Sequence, residues 1–149
     1  MHPFDVKSAL LAKHAQHVVL IHFPIALFIM GAAFDFLAQW TGKKTLAAAA
    51  YYNFLGAAVS TLPVLATGLL AWQFALEGQH LKGILLMHLV FAFVTSVLMW
   101  LVGWFHYKAA RKPEQSLPGY RLPLEFVGVI LVALTGHLGG FLSGVNGSG

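Results

Sequence analysis

The chain has 149 residues, 58% of them hydrophobic and only 9% charged, with a mean hydropathy of +0.75. Soluble domains carry roughly 25% charged residues, so this composition excludes a soluble enzyme, a disordered chain and a coiled coil. The lack of cysteine excludes disulfides, iron–sulfur clusters and thiolate metal sites. A net charge of +4, dispersed between apolar runs, leaves no nucleic-acid surface.

The first segment, 4–16, mixes apolar and polar residues at near-helical spacing (Val6, Ala9, Leu10, Lys13) and is expected to form a short interfacial helix. No basic stretch precedes a short apolar core, so no cleavable signal peptide is expected. Four apolar runs follow, at about 18–37, 52–76, 84–105 and 124–142. Each is long enough for a hydrocarbon core of ~30 Å, which takes about 20 helical residues. The alanine-rich stretch before the second run implies a tilted helix or an interfacial start. Unpaired backbone is costly in lipid, so the runs are expected to be helices. Short connections make sequential neighbours antiparallel. The fold class is therefore all-α: a single transmembrane domain, 1–149, built as an up-down four-helix bundle. The segment 111–123, with three prolines and a glycine, reads as a loop, and the tail 144–149 as flexible.

Loop charge predicts the orientation. Lys43, Lys44, Lys108, Arg111, Lys112 and Arg121 fall on one side, and Lys7, Lys13 and Lys82 on the other. The positive-inside rule places the first side in the cytoplasm. Both termini then face outward, to the periplasm for a protein of a bacterial inner membrane. Trp40, Trp72, Trp100, Trp104 and Tyr107 lie near span ends, as in an aromatic belt.

Eight histidines are conspicuous in so apolar a chain. His22 and His88 each lie four residues inside a span from the outer side, and His137 five residues before Leu142. At 1.5 Å per residue all three are expected roughly 6–8 Å below the outer interface. His17 is at the mouth of the first span with His14 on a similar face; His80 is in the outer loop and His2 near the terminus. Only His106 is on the inner side. Imidazole without thiolate suits haem iron, copper or zinc. A b-type haem takes two axial histidines at matched depth, with His22 and His88 as the first pair and His137 as the alternative. A metal ion would take His17, His22, His88 and His137. The competing reading has each imidazole simply bonding a neighbouring helix. Gly68, at comparable depth, and Gly136, Gly139 and Gly140 around His137 would clear space for a macrocycle. Equally, Gly136, Gly140 and Gly144 form a four-residue ladder suited to close helix packing.

Other polar positions read as structural. Pro24 frees a carbonyl near Leu20 and either kinks the first span, aiming His22 inward, or is an ordinary membrane proline. Asp35, near the inner end of that span, is expected to pair with Lys43 or Lys44, or else to start a proton path. Glu125 sits favourably at a helix start. Asn53, Ser60, Thr61 and Thr67 read as helix-packing groups. No nucleophile–base pair, phosphate loop or carboxylate pair is recognisable.

The run His17-Val18-Val19-Leu20-Ile21-His22-Phe23-Pro24-Ile25-Ala26-Leu27 resembles the opening of a bacterial membrane family called domain of unknown function 2231. The closing Thr135-Gly136-His137-Leu138-Gly139-Gly140 resembles its GHLGG signature. The likeness covers nearly the whole chain. It implies a four-helix inner-membrane protein with motif histidines at His17, His22 and His137, and a further one at His88. Proteins resembling it can be joined to Rieske or cytochrome c modules, which implies redox work with a separate partner for this chain. The leading expectation is thus a haem b electron-transfer protein serving a quinone or a periplasmic carrier. Copper or zinc binding is the second, although four scattered methionines count against copper transport. The third is a structural accessory subunit of a respiratory complex, alone or in a homo- or hetero-oligomer, with the lipid bilayer as its surroundings.

Overall fold

The computed structural model describes residues 13–111 and 117–143. The interfacial helix expected over 4–16 lies mostly outside the described residues, as do the tail 144–149 and the middle of the loop before the last span. Among the described residues every regular element is a helix: α1 (Lys13–Leu20), α2 (His22–Thr41), α3 (Lys44–Ala75), α4 (Gly83–Arg111) and α5 (Arg121–Leu142). Four stretches are long and apolar enough to cross a membrane, at Gln16–Thr41, Lys44–Phe74, Gly83–Arg111 and Arg121–Leu142. They form the expected all-α bundle in ring order. α2 packs on α3, α3 on α4 and α4 on α5, and α5 returns to α2.

Local sequence explains the breaks. Pro24 has no N–H for the Leu20 carbonyl, and the helix interrupts at Ile21 between α1 and α2. The axis carries on, because Ile21 N–H still bonds the His17 carbonyl at 3.0 Å. At the other end of α2, Gly42 takes a left-handed φ of 68° and returns its N–H to Ala38, the conformation for which a Cβ is a liability. α3 runs unbroken through the alanine stretch for 32 residues, about 48 Å at 1.5 Å per residue.

The alanine run also has a packing role. Ala50, Ala57 and Ala58 are buried in the bundle, where small side chains let neighbouring helices approach. Phe28 and Phe54 fill its centre edge-to-face with ring centroids 5.2 Å apart. Gly128 lies beneath Phe28, and Gly31 beneath Phe54. In lipid there is no hydrophobic drive between helices, so this interlocking supplies the association.

Burial is uneven along the axis. One end of the bundle carries Lys43, Lys44, Lys108, Arg111 and Arg121 (the basic end), and the other carries His17, His22, His88 and His137 (the histidine end). Buried residues crowd the centre and the basic end. Among the described residues, Ala71 is the sole buried one over 17–23, 66–74, 84–92 and 134–142.

Candidate functional site

At the histidine end, two imidazoles turn into helix seams. His17 lies against α3: its Nδ1 is 3.3 Å from Thr67 Oγ1, and a Cβ built on Gly68 would meet its ring at 3.0 Å. His88 lies against α5: its Nδ1 is 3.1 Å from the Thr135 carbonyl, and a Cβ on Gly139 would meet its ring at 3.1 Å. The two seams, α1–α2 with α3 and α4 with α5, are on opposite sides of the ring of helices. Gly68 and Gly139 thus make room for imidazoles. Gly136 is roomier, because a Cβ there would come no closer than 3.7 Å to Ile25 Cδ1.

At His88 the hydrogen bond determines which nitrogen carries the proton. A carbonyl only accepts, so His88 Nδ1 must donate to Thr135, leaving Nε2 with the lone pair. Thr67 Oγ1 also lies 2.8 Å from Pro63 O and 3.1 Å from Val64 O, and as a hydroxyl it serves either ring tautomer of His17. Second-sphere acceptors of this kind accompany metal-ligating histidines. Thr135 in turn donates to Leu131 O at 2.7 Å and lies 3.1 Å from Thr95 Oγ1. That chain anchors the His88 seam.

His22 and His137 are exposed. His137 packs edge-on against Phe141, with ring centroids 4.9 Å apart. Pro24 therefore breaks the helix without turning His22 inward. His17, His22, His88 and His137 share one end of the bundle, but among the described residues no three of them bring donor atoms within 4.8 Å of one another.

At the basic end, the polar contacts differ from those expected of the sequence. Asp35 does not pair with Lys43 or Lys44. Its Oδ2 accepts from Arg121 Nε at 2.7 Å, and Arg121 Nη2 donates to Gln39 Oε1 at 2.6 Å. Lys43 and Lys44 are exposed where α3 begins, whereas Asp35 is 2% exposed and faces the start of α5. Glu125, near the start of α5 as expected, turns inward. It is 1% exposed, and its Oε1 accepts from His106 Nε2 at 3.1 Å. His106 itself is buried against Phe54, with ring centroids 4.6 Å apart. Sequence reasoning passed over His106, but depth matching would have found it. Asp35 is six residues before the end of α2, His106 five before the end of α4, and Glu125 four after the start of α5. A further polar contact joins α4 to α3: Trp100 Nε1 donates to Thr61 Oγ1 at 3.1 Å.

The family model of predicted membrane proteins designated DUF2231, domain of unknown function 2231, matches residues 13–149. The chain belongs to this family. It is a multi-pass membrane protein, and His17, His22, His88 and His137 lie within the matched region. No curated protein and no solved structure matches the chain.

Proposed function

We propose that this DUF2231 protein is a membrane electron-transfer protein holding one b-type haem between its helices at the histidine end. The observation that carries this reading is the pair His17 and His88. They come from opposite seams, each seated over a glycine and each with Nδ1 against a neighbouring helix, and the carbonyl bonded by His88 leaves its Nε2 as the basic nitrogen. Neutral imidazole nitrogen is the donor that haem iron takes. Supporting the reading, the histidine end has few fully buried residues, and Gly68 and Gly139 leave the two rings their seats against the helices. When bound, the haem supplies one-electron chemistry, and the protein supplies position and dielectric. His88, with its partner Thr135, and His17, with Thr67, orient the ligands. His22 and His137, being exposed, are left to contact a quinone or a propionate. In this arrangement the histidine end faces the periplasm of a bacterial inner membrane, with both termini on that side, and a quinol or a periplasmic carrier is the redox partner.

The experiment is an absorption spectrum of the detergent-solubilised protein from haem-supplied cells, oxidised and then reduced with dithionite. Six-coordinate b-haem bands are expected, lost in His17→Ala and His88→Ala and retained in His22→Ala. A featureless spectrum would reject the haem reading. The same imidazole donors also suit zinc or copper, and metal analysis of the haem-free protein would then report on that second reading.

A further inference from the structure

We propose that Asp35, His106 and Glu125 form a second site, at the basic end, that binds one divalent first-row cation of the zinc class. The three side chains project from α2, α4 and α5, are 2%, 4% and 1% exposed respectively, and bring one donor atom each within 4.8 Å of one another. The distal oxygen of Glu125, Oε2, is buried and has no hydrogen-bond partner. A buried polar atom left without a partner costs about 1–3 kcal/mol, more when charged, so a group that answers Oε2 is favoured there.

Charge points the same way. Two carboxylates face one guanidinium, so with His106 neutral the buried set carries one net negative charge. Such a charge inside a membrane bundle is expensive and is characteristically functional. A proton would cancel the charge but leave lone pairs on Oε2 unanswered; a cation answers both. Arg121 is bonded to Oδ2 of Asp35 at 2.7 Å and to Gln39 at 2.6 Å. It holds the carboxylate in orientation from behind, as an outer-sphere partner does.

The donor set selects the cation. With the His106 ring proton moved from Nε2 to Nδ1, so that the cation takes the place of the hydrogen bond to Glu125 Oε1, one imidazole nitrogen and two carboxylate oxygens suit Zn²⁺, with Fe²⁺ and Mn²⁺ as neighbours in preference, and Cu⁺ would want thiolate or thioether. Mg²⁺ and Ca²⁺ take oxygen ligands throughout. Three protein ligands leave a fourth tetrahedral position open to water. The site shares no residue with the histidine end, so it stands whether or not haem binds there.

The test uses the full-length protein, stripped with a chelator and titrated with Zn²⁺ alone. Zinc bound by the histidine end is removed by replacing His17, His22, His88 and His137 together with Ala. One Zn²⁺ equivalent is expected to remain. Adding the near-isosteric Glu125→Gln should then weaken binding by at least about 100-fold, beyond the 10–100-fold typical of outer-sphere losses. In the fourfold variant, once its helical circular dichroism shows that it is folded, X-ray absorption at the zinc edge should show a site of one nitrogen and mainly oxygen ligands. No zinc retained by the fourfold variant, affinity unchanged by Glu125→Gln, or an all-imidazole edge spectrum would each overturn the proposal.

Discussion

Arg121 and Asp35, 86 positions apart in the chain, meet through a 2.7 Å hydrogen bond that ties the start of the last helix to the end of the first span. With side-chain exposures of 14% and 2%, the pair sits in a regime where attraction is weakly screened and an abandoned partner is costly. It closes the ring of helices at the basic end, as the glycine contacts close its middle.

Removal of one partner is expected to be worse than removal of both. Arg121→Ala should lower stability by about 3–5 kcal/mol because Asp35 is left buried and uncompensated. Combining Arg121→Met with Asp35→Leu should recover most of that loss. Unfolding of the purified protein in detergent measures both, and a double variant as unstable as the single one would show that the cost was lost packing.

The glycines of the centre are expected to be intolerant in a graded way. A Cβ on Gly128 would stand 2.6 Å from Phe28 and 2.7 Å from Leu98, and one on Gly31 2.9 Å from Phe54. Gly128→Ala should cost about 1–3 kcal/mol through overpacking, and Gly31→Ala should follow it. Gly136→Ala, with its nearest neighbour at 3.7 Å, should be close to neutral. The same detergent unfolding experiment ranks the three.

At the histidine end, substitution should act on the bound group before it acts on the fold. Gly68→Ala and Gly139→Ala push on the His17 and His88 rings, whose nearest approach is 3.0 Å and 3.1 Å. On the haem reading both alter or abolish the reduced α band while leaving unfolding nearly unchanged. Thr67→Val removes the hydrogen-bond partner of His17 Nδ1 and should shift the midpoint potential without removing haem. Spectra indistinguishable from wild type in all three would detach these residues from any ligand role.

Orientation is directly accessible because the chain has no cysteine. Gln79 lies in the turn before α4 and Thr45 in the first turn of α3, and both are exposed. In intact spheroplasts, a membrane-impermeant maleimide should label Gln79→Cys and spare Thr45→Cys. The opposite pattern would reverse the bundle in the membrane.

The four spans were legible in the one-dimensional sequence because a bilayer demands a set length of apolar helix, and length and apolarity need no knowledge of partners. Depth was legible for the same reason: residues count 1.5 Å each along a helix. The histidine end could therefore be named from His17, His22, His88 and His137 alone. Rotation about each helix was a different matter. A helix surrounded by lipid and by other apolar helices is apolar all round, so no stripe in α2 or α4 marks the inward face. Only the packed bundle decided that His22 and His137 are exposed while His17 and His88 enter seams. Asp35 shows the same limit. The nearest lysines in sequence, Lys43 and Lys44, were the natural partners on paper, but Arg121 reaches it because α5 packs back onto α2. His106 and Glu125 meet for a related reason, since the antiparallel return of α5 on α4 brings two equal depths together. Sequence by itself determined the membrane, the helix count and the level of each ionisable group; tertiary packing decided who touches whom, because contact depends on helix rotation and neighbour choice, and neither leaves a periodic trace in a uniformly apolar chain.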